Sequence, residues 1–239
     1  MIVLNDLVGF KNMKIYQDTD WFSFSLDSVL LPNFVTLNKK INIIMDLCSG
    51  NAPIPLILST KTDAKIIGVE VQEDVYNLGK MSIEYNNLSD KIEFLNEDIK
   101  NLKTLYNGDS VDVITCNPPY FKYNEDSNVN DDIHKVIARH EKMINLEEIV
   151  DISHYLLKNN GVLAMVHRTD RLIEIISLFK KYGLEPKKIR FIYPKENSES
   201  NLILIEGRKN GQVGLKVLSP LYVHNNDGSY REELLKMFE

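Results

Sequence analysis

Residues 41–52 read Ile41-Asn42-Ile43-Ile44-Met45-Asp46-Leu47-Cys48-Ser49-Gly50-Asn51-Ala52. An apolar, β-branched run stops at an acidic residue and gives way to a turn of small residues. Pro53 to Thr60 then reads as a helix. The order strand, tight turn, helix is the opening unit of an open α/β sheet. The chain repeats it. Lys65 to Val71 predicts a second strand, followed by a helix over about 73–87. Lys91 to Leu95 and Val111 to Cys116 predict a third and a fourth. A helix over about 146–159 is closed by Gly161 in a capping position. Val162 to Val166 predicts the fifth strand. Asp170 is placed to cap a helix running to Tyr182, where Gly183 ends it.

Strands over about 187–193 and 201–207 follow with only the turn-like 195–200 segment between them. That spacing predicts an antiparallel hairpin at the sheet edge. The expected fold class is therefore α/β: a mostly parallel seven-stranded sheet, an antiparallel edge hairpin, and helices on both faces. A further strand-like run lies near Leu215–Leu218. Residues 1–40 read as an N-terminal segment: a loop through Trp21-Phe22-Ser23-Phe24-Ser25, then a short helix with Asp27 in its first turn. Residues 41–239 carry the sheet, and the whole is expected to form a single domain. The stretch 117–145 is polar and rich in Asn and Asp, and so long a loop is usually functional or disordered.

Composition bounds the class. Hydrophobic residues make up 44% and charged residues 26% of 239, ordinary for a globular protein. No apolar run approaches the roughly 20 residues of a membrane span. Met1 to Gly9 lacks a basic leader region. Two cysteines, Cys48 and Cys116, make neither a disulfide framework nor a zinc site. A cytoplasmic protein without membrane or metal is expected. The net charge is −6, but residues 1–160 carry −9 and residues 161–239 carry +3. Phosphate binding depends on a local basic surface rather than the total, so charge alone decides nothing about nucleic acid.

Ligands of open α/β sheets bind outside the carboxyl ends of the strands, and four such ends are informative. At the first, the small residues after Asp46 let a ligand approach the backbone, and the helix start offers free N–H groups. Only Gly50 of the G-x-G-x-x-G pattern is present, so a plain turn is an equal reading. At the second, Glu70 stands about twenty residues on, where a carboxylate accepts from both ribose hydroxyls. At the third, Asp98 either accepts from an adenine amino group or caps a helix. At the fourth stands Asn117-Pro118-Pro119-Tyr120. Two prolines remove two N–H donors and fix the backbone. Carbonyls, the Asn side chain and an aromatic ring remain, which suits a planar amino group held by acceptors and stacked on Tyr120. A proline-rich turn is the plain alternative, and the ordered series Asp46, Glu70, Asp98 outweighs it.

With these residues in place the chain resembles the class I S-adenosylmethionine-dependent methyltransferases of the amino-nitrogen type, which share an N/D-P-P-Y/F/W motif and a Rossmann-like fold. Within them it is similar to the bacterial enzymes that methylate N6 of adenine 37 in the anticodon loop of a valine tRNA. Phe22 to Leu31, Ala138-Arg139-His140-Glu141 and Leu218 to His224 carry that narrower likeness. The family has a glycine where Cys48 stands, and the next small position is Ala52, so contacts that need glycine dihedrals are in question. The resemblance implies S-adenosylmethionine as cofactor. Asp46 to Asn51, including Cys48 and Gly50, would wrap its methionine part, with Asp27 helping to orient it. Glu70 and Val71 would hold the ribose, Asp98 and Ile99 the adenine. Asn117 and the Pro118 carbonyl would hold the target N6 hydrogens, and no strong base is needed because the proton leaves after transfer.

The partner implied is the tRNA anticodon stem-loop, bound by a monomer or weak dimer. Arg139, His140, Arg168, Arg171, Lys188, Arg190 and Lys195 are the candidate RNA contacts, Arg168 first because it follows the fifth strand. Lys187 belongs to the same basic stretch, while Lys180 and Lys181 complement a helix dipole. Three other readings stand. One is an N5-glutamine methyltransferase acting on a protein such as a release factor, which usually carries a longer helical region before the cofactor turn than the 45 or so residues here. Another is an adenine N6-methyltransferase of DNA or ribosomal RNA. The last is a non-catalytic binding module, disfavoured by four intact strand ends.

Overall fold

The structure, a computed structural model, describes residues 1–7, 10, 12–19, 26–120 and 144–238. β1 (Ile2–Asp6) and β2 (Lys14–Asp18) form a separate antiparallel pair, and α1 (Asp27–Phe34) follows. The main alternation runs β3 (Ile43–Leu47), α2 (Pro53–Ser59), β4 (Lys65–Glu70), α3 (Glu73–Tyr85), β5 (Ile92–Asn96), α4 (Leu102–Leu105), β6 (Val111–Cys116), α5 (Leu146–Leu156) and β7 (Leu157–Arg168). It closes with α6 (Leu172–Lys181), β8 (Leu184–Tyr193), β9 (Leu202–Lys209), β10 (Lys216–Val217), β11 (Leu221–Tyr222) and α7 (Glu232–Leu235).

The sheet order is β10-β8-β9-β7-β6-β3-β4-β5, with β11 also paired to β8. Every pairing in this sheet is parallel except those of β9. Strands covered on both faces read as continuous apolar runs, as 43–47 and 65–70 do. Successive residues then serve opposite layers. Ile44, Ile66 and Val113 pack with α1 and α2, while Met45, Ile67 and Ile114 pack with α5 and α6. β4 flanks β3 on one side and β6 on the other, so the strand order reverses at β3. The crevice outside the carboxyl ends of β3 and β6 is the switch point of the sheet.

Several details depart from the sequence reading. The final hairpin exists, but β9 wedges between β7 and β8, and the edge beyond β8 is covered by β10 and β11, giving nine strands in the sheet. Two-residue strands are too short to show a periodic pattern. β7 begins at Leu157, directly after α5, and runs to Arg168, because Val111 of β6 and residues 202–208 of β9 supply partners beyond 162–166. Asp170 does not cap α6. A 3-10 turn over Thr169–Arg171 precedes that helix, and the Asp170 carboxylate bonds Arg168 instead. Asn145 and Glu148 form a full capping box on α5.

The N-terminal segment holds the β1–β2 pair, which the sequence reading missed. Ile15 and Gln17 alternate inward along β2, a usable signal, but β1 is largely exposed and buries no face of its own. β2 docks on α3 through Tyr16 N–H to Ser82 Oγ (2.9 Å) and Asn86 Nδ2 to the Lys14 carbonyl (2.7 Å). The chain after α1 is fixed to the sheet by Lys188. Its ammonium meets Glu206 at 3.0 Å, the Phe34 carbonyl at 2.7 Å and Thr36 Oγ1 at 2.8 Å. Glu206 is 3% exposed, and a carboxylate so removed from water needs a counter-charge and filled lone pairs. Among the described residues, no helix is long and apolar enough to cross a membrane.

At the centre, Asp46 is fully buried and its carboxyl accepts from Thr115 Oγ1 (2.5 Å) and Ser49 Oγ (2.7 Å). Burial raises its pKa from 3.8 to about 7, against the pull of those two hydroxyls and with a smaller push from Glu70. The folded state therefore keeps a proton between pH 4 and 7 that the unfolded chain has released. This contribution to stability is complete below pH 4 and is lost as pH rises through 7. Asp46→Asn is expected to remove it. Thermal melts of the two proteins from pH 4.5 to 8 should show the wild type losing stability relative to the variant, by a few kcal/mol in all. Parallel curves would exclude a raised pKa at Asp46.

Candidate active site

The turn after β3 bends through three left-handed residues, Cys48 (φ 58°), Gly50 (φ 57°) and Ala52 (φ 70°). The backbone keeps glycine-like dihedrals where glycine is absent, at roughly 1–2 kcal/mol for each side chain so placed. Ser49 holds it: its N–H donates to the Val69 carbonyl (2.9 Å), and its Oγ accepts from Val69 N–H (3.1 Å). A Cβ at Gly50 would meet nothing within 4 Å, so that backbone faces open space. Asn51 Nδ2 donates to the Tyr16 carbonyl at 2.8 Å, tying the turn to β2.

Glu70 ends β4 and is 5% exposed. Its Oε2 accepts from Gly50 N–H and its Oε1 from Gln72 N–H, each at 2.9 Å. Burial pushes its carboxyl up, and these amides oppose the shift. Gln72 Nε2 also donates to Oε1 at 3.4 Å, so Oε2 is the oxygen that keeps a lone pair for a further donor. Asp98 lies at the end of β5, where it accepts from Lys100 N–H at 3.0 Å and caps a 3-10 turn. Its cap role and its place on the cavity wall are both real.

A cavity of about 150 Å3 opens outside these strand ends. It brings together Asp27, Cys48, Gly50, Asn51, Glu70, Val71, Asp98, Ile99 and the four motif residues Asn117, Pro118, Pro119 and Tyr120. Asp46 alone of the cofactor-side candidates is not on its wall; it lies beneath the turn and braces it. The sequence reading did not anticipate Gln17 and Asp18 from β2, or Gln72, all on the wall. The end of the alternating stretch 14–18 is the signal for the first two.

Tyr120 lies over the motif with its Oη 2.5 Å from Asp27 Oδ2 and 2.7 Å from Asn117 Oδ1. Burial and then the Asp27 charge hold its phenol well above 10, so it stays neutral. The His167 ring tilts against it at 5.3 Å. His167 Nδ1 accepts from Arg168 N–H at 2.8 Å, which places the ring proton on the buried Nε2. Burial, then Arg171, pushes its pKa down to about 4, and the imidazole is neutral at physiological pH. Nothing in the local sequence marks His167. Cys116 precedes the motif, and burial keeps its thiol protonated.

The basic candidates divide. Arg168 and Lys195 sit on the carboxyl-end side of the sheet, the side of the cavity, at the ends of β7 and β8; Arg168 pairs with Asp170 at 2.9 Å. Three others bind partners within the chain. Lys188 neutralises Glu206. Arg190 bonds the Ser219 carbonyl (3.0 Å) and pairs with Glu233, holding the C-terminal tail. Arg171, 11% exposed, grips Glu174 at 2.8 and 3.0 Å and donates to the Tyr120 carbonyl at 3.3 Å. Their acceptors are remote in sequence or on the next helical turn, so a basic residue read alone looks available. Lys180 pairs with Glu185 at 2.5 Å and Lys181 with Glu147. Arg139 and His140 lie outside the described residues. Among the described residues no group of three or more His, Cys, Asp or Glu side chains is arranged to hold a metal ion.

The chain is 26% identical over 215 residues to a protein of Flavobacterium psychrophilum named tRNA1(Val) (adenine(37)-N6)-methyltransferase, covering 86% of this chain and 87% of that one. A protein of the same name from Phocaeicola vulgatus is 26% identical over 235 residues, covering 98% and 96%. In fold it is similar to the crystal structure of a predicted O-methyltransferase from Agrobacterium tumefaciens, with a TM-score of 0.71, 16% identity, and coverage of 89% of this chain and 95% of that one. Residues 38–198, well over half the chain, match the family described as "Methyltransferase domain". The chain belongs to the methyltransferase domain family.

Proposed function

We propose that this protein transfers a methyl group from S-adenosylmethionine to the exocyclic N6 of adenine in tRNA, at adenine 37 in the anticodon loop of valine tRNA. One observation carries the reading: a single cavity joins the Gly50–Glu70 wall to Asn117-Pro118-Pro119-Tyr120. The names of relatives at about a quarter identity, which align over most of both chains, support the choice of acceptor.

The residues present fit the cofactor. Gly50 leaves open space above its backbone. The Glu70 carboxylate is oriented by two backbone amides, and its Oε2 keeps a lone pair for a ribose hydroxyl. Asp98 and Ile99 line the same cavity as an adenine subsite. When bound, S-adenosylmethionine supplies an electrophilic methyl on a sulfonium. The chain's own work is positioning and acceptor dipoles. Asn117 and the Pro118 carbonyl hold the two N–H groups of the target amine, so its lone pair faces into the cavity. Tyr120 offers a neutral ring for stacking on the base. No side chain acts as a strong base, and the amine releases its surplus proton after transfer.

Arg168 and Lys195 are the described residues assigned to the RNA backbone, with Arg139 and His140 beside them in the reading from sequence. Residues 1–40 belong to the same working unit, because Asp27 stands on the cavity wall. The protein acts in the cytoplasm as a monomer or weak dimer.

Incubation with methyl-labelled S-adenosylmethionine and separate pools of tRNA, DNA and release factor is expected to label tRNA, and nucleoside mass spectrometry should identify N6-methyladenosine. Label confined to protein overturns the reading. Asn117→Ala should lower transfer by about 10²-fold or more, the scale of losing one transition-state acceptor, while cofactor affinity is kept. Arg168→Glu should raise the KM for tRNA severalfold, and increasingly so at low salt; an unchanged KM removes Arg168 from the RNA face.

A further inference from the structure

Tyr120 Oη carries a single proton but stands within hydrogen-bond distance of two oxygens, Asp27 Oδ2 at 2.5 Å and Asn117 Oδ1 at 2.7 Å. One proton cannot serve both. An ionised Asp27 accepts only, and it is the stronger acceptor, so the phenol proton belongs to Asp27. That leaves two oxygens facing each other without a hydrogen across the 2.7 Å contact. The conflict disappears when the Asn117 amide is turned about its terminal torsion, since amide oxygen and nitrogen exchange places at almost no change in shape. Nδ2–H then donates to Tyr120 Oη, Oη–H donates to Asp27, and every proton is used once.

We infer that Asp27, acting through Tyr120, is a positioning residue that sets the orientation of the Asn117 amide and leaves Oδ1 as the atom presented to the target amine. The inference rests on the methyl-transfer reading for its catalytic meaning. Without the relay the amide could turn either way, and in half its orientations an NH2 group would face the N–H hydrogens it has to accept. A neutral phenol is required for the relay, and burial together with the Asp27 charge keeps it so. The ring is steadied at its other parts by His167 against its face and by Arg171 on its backbone carbonyl. Holding the hydroxyl does not prevent stacking, because Tyr120 also lines the cavity.

Steady-state kinetics of Asp27→Ala, Asp27→Asn, Tyr120→Phe and Asp27→Ala/Tyr120→Phe test the relay, with thermal melts to establish folding. Asp27→Ala and Tyr120→Phe should each lower kcat about tenfold, the scale of one hydrogen bond to a charged group, with the KM for S-adenosylmethionine unchanged. Asp27→Asn keeps an acceptor and should recover part of the loss. The double variant should be no slower than Tyr120→Phe, since both changes break one chain. Multiplying losses, or a raised cofactor KM on removing Asp27 from the Tyr120→Phe protein, would overturn the inference and make Asp27 an independent or cofactor-holding group. A second measurement needs no activity. The side-chain NH2 signals of Asn117 in a 15N–1H spectrum, assigned by their loss in Asn117→Ala, should shift in both Asp27→Ala and Tyr120→Phe. Unmoved signals sink the relay. If the wild type methylates none of the acceptors offered while these signals still shift, it is the methyl-transfer reading that fails.

Discussion

The carboxyl group of Asp46 is removed from water at the point where the strand order of the sheet reverses, and the site depends on how it is satisfied. A buried carboxyl is costly unless hydrogen bonds replace its hydration. Thr115 on β6 and Ser49 in the following turn supply them. These bonds register two neighbouring strand ends and fold the turn back over its own strand. Ser49 then clasps Val69 of β4 with its backbone and its hydroxyl, so three strands end at one fixed level. The left-handed dihedrals at Cys48 and Ala52 persist because this frame over-determines them.

Chemistry is built on that frame by oriented acceptors. The Gly50 and Gln72 amides aim Glu70 at the cavity from one side. On the other, the prolines strip donors from the motif, and Tyr120 tethers Asn117 to Asp27 in the N-terminal segment. Neutral groups surround the target side: a phenol held un-ionised, an imidazole held unprotonated, a buried thiol. In the proposed transfer, an amine that becomes cationic would meet the Asn117 and Pro118 acceptors there, with the Arg171 guanidinium already paired with Glu174. A preorganised polar site of this kind needs little rearrangement as charge develops.

The basic residues show the limit of reading side chains one at a time. Lys188, Arg190, Arg171 and Lys195 read alike in the sequence, behind Arg168. The structure separates the first three by their partners: Glu206 across the β8–β9 pairing, Glu233 some forty residues away, and Glu174 with the Tyr120 carbonyl. The β1–β2 pair was hidden for a related reason. β1 buries almost nothing, so its pairing is set by β2, not by any pattern of its own.

The sequence by itself determined the alternation of strands and helices, the level of the strand ends and the residues gathered there, because buried parallel strands need continuous apolar runs and the ligand-facing ends need turns and polar side chains. Asp46, Glu70, Asp98 and Asn117 to Tyr120 were legible for that reason. Tertiary structure alone decided which of them face the cavity and which brace it. It placed Asp46 beneath the turn, inserted β9 ahead of β8, joined Asp27 to Tyr120 across ninety residues, and set His167 behind the ring. These are matters of long-range proximity and of burial, which change the partners and protonation of a group without leaving a mark on its neighbours in the chain.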